Sequence, residues 1–252
     1  MPESLAMPTC AIIVPCYNEA ARLPVEVFAT YIPRHPNLHF VFVNDGSTDA
    51  TSTVLKSLQS RIPTRITVLD NTINQGKAGV VRQGLLHALD NTTLEHIGFW
   101  DADLATPLET IEEMLSILAE RPQVWMVFGA RVQLLGRHIE RKTHRHYLGR
   151  VFATIVSIML GLPIYDSQCG AKLFRRTPHT RSLFAKPFVS RWVFDVEILA
   201  RFLRLPNTQR PAPNDGICEY PLPIWRDIDG SKVKPLDFFR ALMDLFKIGR
   251  DV

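Results

Sequence analysis

Apolar segments rich in β-branched and aromatic residues alternate with helical patterns through the first half of the chain. The pattern predicts five buried strands, at Ala11–Val14, Phe40–Val43, Ile66–Leu69, Ile97–Trp100 and Val124–Phe128. It predicts four helices among them, at Ala20–Tyr31, Asp49–Ser60, Ala78–Leu89 and Leu108–Ala119, with Thr106 capping the last and Pro107 at its first position. Such alternation is typical of an α/β fold with a mostly parallel sheet flanked by helices, in which ligands bind at the carboxyl ends of the strands.

Small and polar residues follow the predicted strands. The four segments concerned are Pro15-Cys16-Tyr17-Asn18-Glu19, Asn44-Asp45-Gly46-Ser47-Thr48-Asp49, Asn74-Gln75-Gly76-Lys77 and Asp101-Ala102-Asp103. None of them contains a G-x-G-x-x-G fingerprint or a complete P-loop, because Gly76-Lys77 lacks the upstream glycine and the following Ser or Thr. The sequence therefore disfavours a dinucleotide-dependent oxidoreductase and a P-loop NTPase.

Asp101 and Asp103 form a candidate metal site at the end of the fourth strand. Residues i and i+2 of a strand share a face, so both carboxylates can point into one crevice, and a divalent cation such as Mg²⁺ or Mn²⁺ would relieve their repulsion. The alternative is that this D-x-D arises by chance in a solvated loop. In the second segment, Asp49 is predicted to cap the next helix, whereas Asp45 lies nearer the strand and could accept hydrogen bonds from a nucleobase.

Composition and charge narrow the class of protein. The chain has 252 residues, 46% hydrophobic and 21% charged, which excludes a disordered tail, a collagen-like fibre and a polytopic membrane protein. Four scattered cysteines without a C-x-x-C pair indicate reduced thiols in a cytosolic protein. Residues 1–136 carry a net charge of −5 and residues 137–252 a net charge of +9, so the second half should meet an anionic partner. It lacks a helix-turn-helix or RNP-like aromatic motif, which disfavours nucleic acid.

Two segments of the second half have amphipathic patterns. The first follows the basic stretch Arg137–Arg150 and carries Tyr147, Leu148, Val151, Phe152, Ile155 and Met159 at helical spacing. The second places Leu236, Phe239, Leu242, Met243 and Phe246 opposite Asp237, Arg240, Asp244 and Lys247. Each stripe is either ordinary core or an interfacial surface that contacts a membrane. No secretory signal occurs at Met1–Thr9, and the uncharged run Val151–Tyr165 is too short to span a bilayer. We therefore expect a cytoplasmic protein, peripherally associated with the membrane and without a transmembrane segment.

Several motifs in order give the sequence a specific resemblance. IIVPCYNEA, FVNDGSTD, NQGKAGVVRQG and DADLATP resemble family 2 glycosyltransferases of the GT-A (Rossmann-like) fold. DSQCGAKLFRR, RWVFDVEIL and DIDGSK resemble the branch that glucosylates dolichyl phosphate or polyprenyl phosphate. The N-terminal anchor of the eukaryotic members is missing, and Ala105 follows DADL, as in the glucosyl branch, where mannosyl relatives carry Gln.

The resemblance implies one continuous GT-A domain with a donor half at 8–135 and an acceptor half at 136–252 that carries amphipathic, membrane-surface helices. It also implies that Asp101 and Asp103 hold Mg²⁺ or Mn²⁺ on the diphosphate of the donor. The residues expected to bind the nucleotide-sugar are Pro15, Tyr17, Asn18, Glu19, Asp45, Lys77, Arg82, Asp101, Ala102 and Asp103.

A phosphate acceptor needs cations to hold it rather than a base to deprotonate it, because its second pKa is roughly 6. The candidates for the acceptor phosphate are Arg131, Gln168, Lys172, Arg175, Ser231 and Lys232, and the expected catalytic residues are Asp101, Asp103, Arg131, Asp195 and Lys232. Asp195 has a second interpretation, shared with Glu197, as a carboxylate that stabilises a helix N-terminus.

The expected function is inverting transfer of a hexose, glucose from UDP-glucose, onto a polyprenyl or dolichyl phosphate. Three alternatives stay open. One is a different sugar, mannose or N-acetylglucosamine. The second is a saccharide or protein hydroxyl as acceptor, with Asp195 as the base that such an acceptor requires. The third is a peripheral membrane scaffold that binds nucleotides without turning them over.

Overall fold

A computed structural model describes residues 9–91, 94–140, 143–228 and 235–250 of the chain. The nine strands of this part are β1 Cys10–Cys16, β2 Leu38–Asp45, β3 Ile66–Asn71, β4 His96–Trp100, β5 Met126–Ala130, β6 His138–Glu140, β7 Ala171–Arg175, β8 Ile217–Pro221 and β9 Ile224–Arg226. The α-helices are α1 Val25–Tyr31, α2 Thr51–Arg61, α3 Lys77–Asn91, α4 Thr110–Glu120, α5 Thr143–Leu160, α6 Thr180–Ala185, α7 Phe194–Arg204, α8 Pro213–Gly216 and α9 Pro235–Arg250, with a 3₁₀ turn at Ile32–Arg34.

Seven strands form one mostly parallel sheet in the order β3-β2-β1-β4-β7-β5-β8. β7 is antiparallel to both of its neighbours, and every other pair in the sheet is parallel. β6 and β9 pair separately as a two-stranded sheet. Strands β7 and β8 come from the second half of the sequence, so both halves contribute to one sheet. The carboxyl ends of β1, β2, β4 and β5 lie at one edge, and the loops that follow them meet there.

Two hydrophobic clusters cover the two faces of the sheet, and β1 shows how the sequence divides between them. Ala11 and Ile13 face the cluster that includes α3, α5, α6, α7 and α9, whereas Ile12 and Val14 face the cluster that includes α1, α2 and α4. The alternation of a strand thus buries both sets of side chains, which explains the continuous apolar runs in the sequence. Burial on both faces fixes the strand ends and the loops they carry.

The five predicted strands and four predicted helices are all present, with two corrections at helix starts. α1 begins at Val25 instead of Ala20, because Arg22 N and Leu23 N donate to Glu19 O in a preceding turn. α4 begins at Thr110, so the predicted cap at Thr106 was wrong. Thr106 is buried, and its carbonyl accepts a hydrogen bond from Nε1 of Trp100 at 2.8 Å, which commits it to a turn before the helix.

The two predicted amphipathic segments are helices, and each divides its apolar residues between core and surface. On α5, Phe152 is buried together with Val156, while a contiguous stripe of the helix is exposed, formed by Tyr147, Leu148, Val151, Ile155 and Ile158. On α9, Leu245 and Ile248 are buried, while Met243 and Phe246 are exposed. The side chains of 235–239, which include Leu236, Asp237 and Phe239, lie outside the described residues. No helix in the described part of the chain is long and apolar enough to cross a bilayer.

Candidate active site

The loops after β1 and β2 are tied to each other by side chains. Ser47 Oγ accepts a hydrogen bond from Asn18 N at 2.9 Å, and Asn18 Oδ1 accepts one from Thr48 N at 2.9 Å. Asn18 has a positive φ of 51°, a conformation that Asn tolerates better than most residues. Asp49 Oδ1 accepts a hydrogen bond from Thr51 N at 3.0 Å, but the N-cap of α2 is Ala50, so Asp49 lies one residue before the cap position and the predicted cap was wrong. The first two strand-end segments therefore form one connected rim.

The carboxylate of Asp45 fixes the loop after β3. It accepts hydrogen bonds from the backbone N–H groups of Gln75 at 2.6 Å and Gly76 at 3.0 Å, and from Nδ2 of Asn74 at 3.0 Å. Burial raises the pKa of Asp45, and the backbone donors of Gln75 and Gly76 oppose the increase. Asp45 therefore sets the position from which α3 and its first residue, Lys77, begin.

Lys77 and Asp101 meet at the centre of this edge. Nζ of Lys77 lies 2.5 Å from Oδ1 of Asp101, and both side chains are about one-third exposed. Burial lowers the pKa of Lys77, but the attraction of Asp101 and Asp195 outweighs burial and leaves it raised. Burial and the nearby charge of Asp101 raise the pKa of Asp103. The two predicted metal ligands thus lie within electrostatic range of each other, with one ammonium group beside them.

Gly170 makes room for the Asp101 carboxylate. Asp101 N donates to Gly170 O at 3.0 Å, and a Cβ on Gly170 would lie only 1.8 Å from Oδ2 of Asp101. The residue before β7 must therefore lack a side chain for the carboxylate to lie where it does. This cradle was not predicted, although Gly170 belongs to the DSQCGAKLFRR motif.

The donor set fits a hard divalent cation. Within the described residues, no group of three or more His, Cys, Asp and Glu side chains is arranged to hold a metal. Mg²⁺ and Mn²⁺ are commonly bound through one or two carboxylates, with substrate phosphates and water completing the shell. Asp101 and Asp103 supply two, and Oδ1 of Asp103 is oriented by a hydrogen bond from Ala105 N at 3.1 Å. The pair can hold a cation that arrives with an anionic substrate.

Asp195 forms a buried ion pair behind the Asp101 site. Its Oδ1 lies 2.7 Å from Nζ of Lys172, a side chain with no exposed surface that also donates to the carbonyls of Ser167 and Cys169. Burial raises the pKa of Asp195, opposed by Lys172. Both Asp195 and Glu197 lie in the first turn of α7, and Glu197 accepts from Val189 N at 2.8 Å. Lys172 was expected on the acceptor phosphate, but it is enclosed by the core instead.

Arg131 follows β5 at the same edge and pairs with Asp166. Its Nε and Nη2 atoms donate to the two carboxylate oxygens at 2.6 and 2.8 Å, and both side chains are nearly buried. Burial lowers the pKa of Arg131, but Asp166 outweighs burial and leaves it raised. Glu219 holds the other side of this turn by accepting from Tyr165 N and Asp166 N. Gln168 is half-buried, and its backbone N–H donates to Asp166 at 3.1 Å.

Arg175 and Arg82 lie elsewhere than the sequence suggested. Arg175 pairs with His96 across β7 and β4, at the edge opposite Asp101, because β7 runs antiparallel. Its guanidinium donates to carbonyls at the end of α4 and before β5, so it serves structure instead of an acceptor. Arg82 donates to the carbonyls of Phe184, Ala185 and Lys186, at the C-terminal end of the short helix α6. Ser231 and Lys232 lie outside the described residues.

Two further cations near the site were missed. The side chain of Arg191 lies against Gly76, with Cδ 3.2 Å from where a Cβ would stand, and its charge acts on Asp45. Arg150 of α5 stacks on the ring of Tyr165 at 3.7 Å and donates to its carbonyl at 2.8 Å. Both are distant in sequence from their neighbours. In the sequence, Arg191 was marked only as the first residue of the RWVFDVEIL motif and Arg150 only as the last residue of the basic stretch Arg137–Arg150.

The remaining predicted residues lie on the first strand-end loop and the turn after β4. Glu19 is buried and paired with Arg22 at 2.7 Å, and its backbone N–H donates to Thr51 Oγ1. Pro15 and Tyr17 are half-buried next to it, and Ala102 is buried between the two aspartates. The edge therefore brings the predicted donor residues together, apart from Arg82.

Known proteins match this chain along most of its length. The model of "Glycosyl transferase family 2" matches residues 11–182. The dolichyl-phosphate beta-glucosyltransferase of Drosophila melanogaster is 33% identical over 94% of this chain and 73% of its own. The protein of the same name from Homo sapiens is 33% identical over 89% of this chain and 69% of its own.

Solved structures agree on the fold. Glucosyl-3-phosphoglycerate synthase from Mycobacterium tuberculosis, in complex with Mn²⁺, UDP and glucosyl-3-phosphoglycerate, superposes with a TM-score of 0.64 at 16% identity, covering 96% of this chain and 80% of that one. The mannosyltransferase of Pyrobaculum calidifontis with GDP-Man and Mn²⁺ gives 0.61 at 18% identity, covering 98% and 66%. These structures share the α/β sheet of this chain. The family model over residues 11–182 and the relatives at 33% identity show that the chain is a glycosyltransferase and belongs to glycosyl transferase family 2.

Proposed function

We propose that this protein transfers glucose from UDP-glucose to a polyprenyl phosphate at the cytoplasmic face of a membrane, with inversion at the anomeric carbon. The observation that carries the proposal is the Asp101–Lys77 centre at the carboxyl ends of the strands, where carboxylates able to bind a cation adjoin an ammonium group. The names of the similar enzymes supply the sugar and the lipid class.

The donor would lie along the rim formed by the first three strand-end loops. Asp45, buried next to Arg191, would face the nucleoside, and Lys77 would reach the diphosphate. A divalent cation held by Asp101 and Asp103 would stabilise the charge that develops on the departing nucleoside diphosphate. The chain's own contribution is to hold those carboxylates in place, through Gly170 and the hydrogen bond from Ala105 N.

The acceptor would approach from the side of α5. A cavity of about 290 Å³ lies between α5 and the turn before β7, lined by Arg150, Thr154, Ser157, Ile158, Pro163, Ile164 and Tyr165. Arg150 offers a cation at one wall, and Ile158 and Ile164 offer apolar surface at another. A phosphate joined to an isoprene chain has the same division between charge and hydrocarbon. Arg131, Gln168, Ser231 and Lys232 remain candidates for the phosphate itself.

The exposed stripe of α5 would rest on the membrane that holds the acceptor. Ile158 is 79% and Tyr147 66% exposed, and Met243 and Phe246 of α9 are exposed as well. Apolar stripes flanked by basic residues are typical of interfacial helices. The stretch Arg137–Arg150 carries five Lys or Arg against one acid, Glu140.

A hydroxyl acceptor is the second candidate function, and it needs a general base. Asp195 is the residue available for that role, but it is nearly buried and bound to Lys172 at 2.7 Å. A carboxylate held in this way cannot readily reach an incoming hydroxyl. This arrangement favours a phosphate acceptor, which requires no base.

A donor panel tests the proposal. Purified protein with Mg²⁺ or Mn²⁺ and a short polyprenyl phosphate is given labelled UDP-glucose, UDP-N-acetylglucosamine or GDP-mannose. We expect label to enter the organic phase only from UDP-glucose, and Asp103→Asn to reduce transfer by at least about a hundredfold. Asp90→Asn, a surface carboxylate paired with Arg181, is the control and should retain activity. Label that stays water-soluble would refute the lipid acceptor. Transfer from another donor would show that the sugar is not glucose.

Vesicle flotation tests the membrane surface. Wild-type protein should float with phosphatidylcholine–phosphatidylglycerol vesicles, less so at high salt. The double variant Val151→Glu, Ile158→Glu should lose most of this binding. Val27→Glu is the matched control, because Val27 is 48% exposed on α1, which packs on the opposite face of the sheet. Equal binding by all three proteins would refute a role for α5.

A further inference from the structure

Lys77 has one anchored end and one movable end. Its backbone begins α3, and the preceding loop is held by three hydrogen bonds to the Asp45 carboxylate. Its ammonium group lies at the end of a four-carbon stem, 2.5 Å from Oδ1 of Asp101. A lysine stem can redirect its ammonium group by several ångströms while the helix stays fixed. Lys77 can therefore change partner without any change in fold.

Two other cations near this centre, Lys172 and Arg131, are committed to fixed partners. Lys172 has no exposed surface and is held by Asp195 and two backbone carbonyls. Arg131 forms a two-point ion pair with Asp166. Among the residues that the structure describes, Lys77 is thus the cation that bonds directly to a candidate metal ligand and is free to leave it.

An ammonium group and a divalent cation cannot share Oδ1 of Asp101 at these distances without strong repulsion. Asp101, Asp103 and Asp195 carry three negative charges against two positive charges on Lys77 and Lys172. With Lys77 in place, the attraction that this centre exerts on a metal ion is partly cancelled. If Lys77 moved to a bound diphosphate, both the competing charge and the occupied oxygen would be released together.

We propose that Lys77 is a placeholder for the metal: it neutralises Asp101 in the metal-free protein and transfers to the diphosphate of the incoming nucleotide, so that nucleotide and metal bind with positive coupling. This inference rests on the proposed function for the identity of the nucleotide, while the competition between Lys77 and the metal does not. A single side chain, that of Lys77, would then determine the order in which nucleotide and metal bind. Metal alone binds weakly, and the nucleotide opens its site.

Mn²⁺ binding followed by electron paramagnetic resonance tests this without turnover. In wild-type protein, UDP should tighten Mn²⁺ binding at least about tenfold, and Mn²⁺ should tighten UDP binding by the same factor. In Lys77→Met, Mn²⁺ alone should bind about tenfold more tightly than to the wild type, and the coupling with UDP should fall. UDP itself should bind the variant more weakly, because its diphosphate loses a cation.

Two control variants separate this inference from general electrostatics. Lys77→Arg keeps the charge and should leave Mn²⁺ alone weakly bound. Lys56→Met removes the same charge from α2, where Lys56 pairs with Asp70, and should leave Mn²⁺ binding unchanged. Circular dichroism and thermal unfolding verify that Lys77→Met is folded. We expect it to fold because the Asp101 side chain is 36% exposed, so water can solvate its carboxylate when Lys77 is removed.

The outcomes distinguish this inference from the proposed function. If folded Lys77→Met binds Mn²⁺ alone no more tightly than the wild type, the placeholder role is refuted, even if UDP and Mn²⁺ are coupled. If Lys77→Met tightens Mn²⁺ binding but UDP affects neither protein, Lys77 competes with the metal and the uridine nucleotide is the wrong partner. A repeat with GDP then tests the other donor class.

Discussion

Substitution of Gly170 by Ala should disable the site while leaving the fold intact. The added Cβ would lie 1.8 Å from Oδ2, 2.2 Å from Cγ and 2.6 Å from Oδ1 of Asp101. Contacts of this kind are not found below about 3 Å, so the carboxylate or the start of β7 must shift by more than about 1 Å. The backbone hydrogen bond from Asp101 N to Gly170 O holds the two segments together, so the side chain is expected to give way.

A displacement of this size is large for a metal ligand. Metal–oxygen distances tolerate only about 0.2 Å, and a misplacement of about 1 Å in an active site costs on the order of a hundredfold in rate. We therefore expect Gly170→Ala to lower kcat/KM by about a hundredfold or more and to weaken Mn²⁺ binding in the presence of UDP. Overpacking should cost about 1–3 kcal/mol of the free energy of unfolding.

The assays are radiolabel transfer, Mn²⁺ titration and urea unfolding. Gly249→Ala is the matched control, because its Cβ would meet only the flexible side chain of Met159, with Sδ at 3.2 Å and Cγ at 3.5 Å. It should retain activity and metal binding. If Gly170→Ala kept wild-type Mn²⁺ affinity and turnover, Asp101 would not be a ligand in the position that the structure gives it.

Three further predictions concern stability and the corrected residues. Burial and repulsion from Arg175 lower the pKa of His96 from 6.5 to about 4. As the pH falls below 6.5, the unfolded chain takes up a proton that the folded chain does not, so the free energy of unfolding decreases until the pH reaches about 4. His96→Phe should remove most of this loss, up to about 3 kcal/mol, and urea unfolding at neutral and acid pH would contradict us if both proteins lost the same amount. Arg175→Met should cost about 2–3 kcal/mol of stability and leave the KM for the acceptor unchanged, whereas a raised KM at unchanged stability would return Arg175 to the acceptor site. Asp166→Ala should cost about 3–5 kcal/mol by stranding the buried Arg131, and the double variant with Arg131→Met should be more stable than the single one; the opposite order in chemical denaturation would refute this account of the pair.

Local patterns were sufficient for the strands and for the residues that follow them. A strand buried on both faces needs a continuous apolar run, and its end is marked by polar residues. The position of Asp45, Asp101 and Asp103 at the strand ends could therefore be predicted from sequence alone. The motifs added the family, because several of them occur in a fixed order. The helix starts were less accurate, since the buried turn at Thr106 depends on a hydrogen bond from Trp100.

Which cations face the site was decided only by the tertiary structure. Arg175 and Lys172 lie on β7, in the same motif as the preceding Gly170. The antiparallel direction of β7 takes Arg175 to the far edge of the sheet, and Lys172 is buried against Asp195. The sequence does not reveal which acidic residue a given cation pairs with, because ion pairs such as Arg131–Asp166 join residues 35 positions apart. The chain thus specified by itself its layered core and its acidic edge, which follow from hydrophobic period and strand ends. Strand direction and long-range packing, which no local pattern encodes, determined where each positive charge is held.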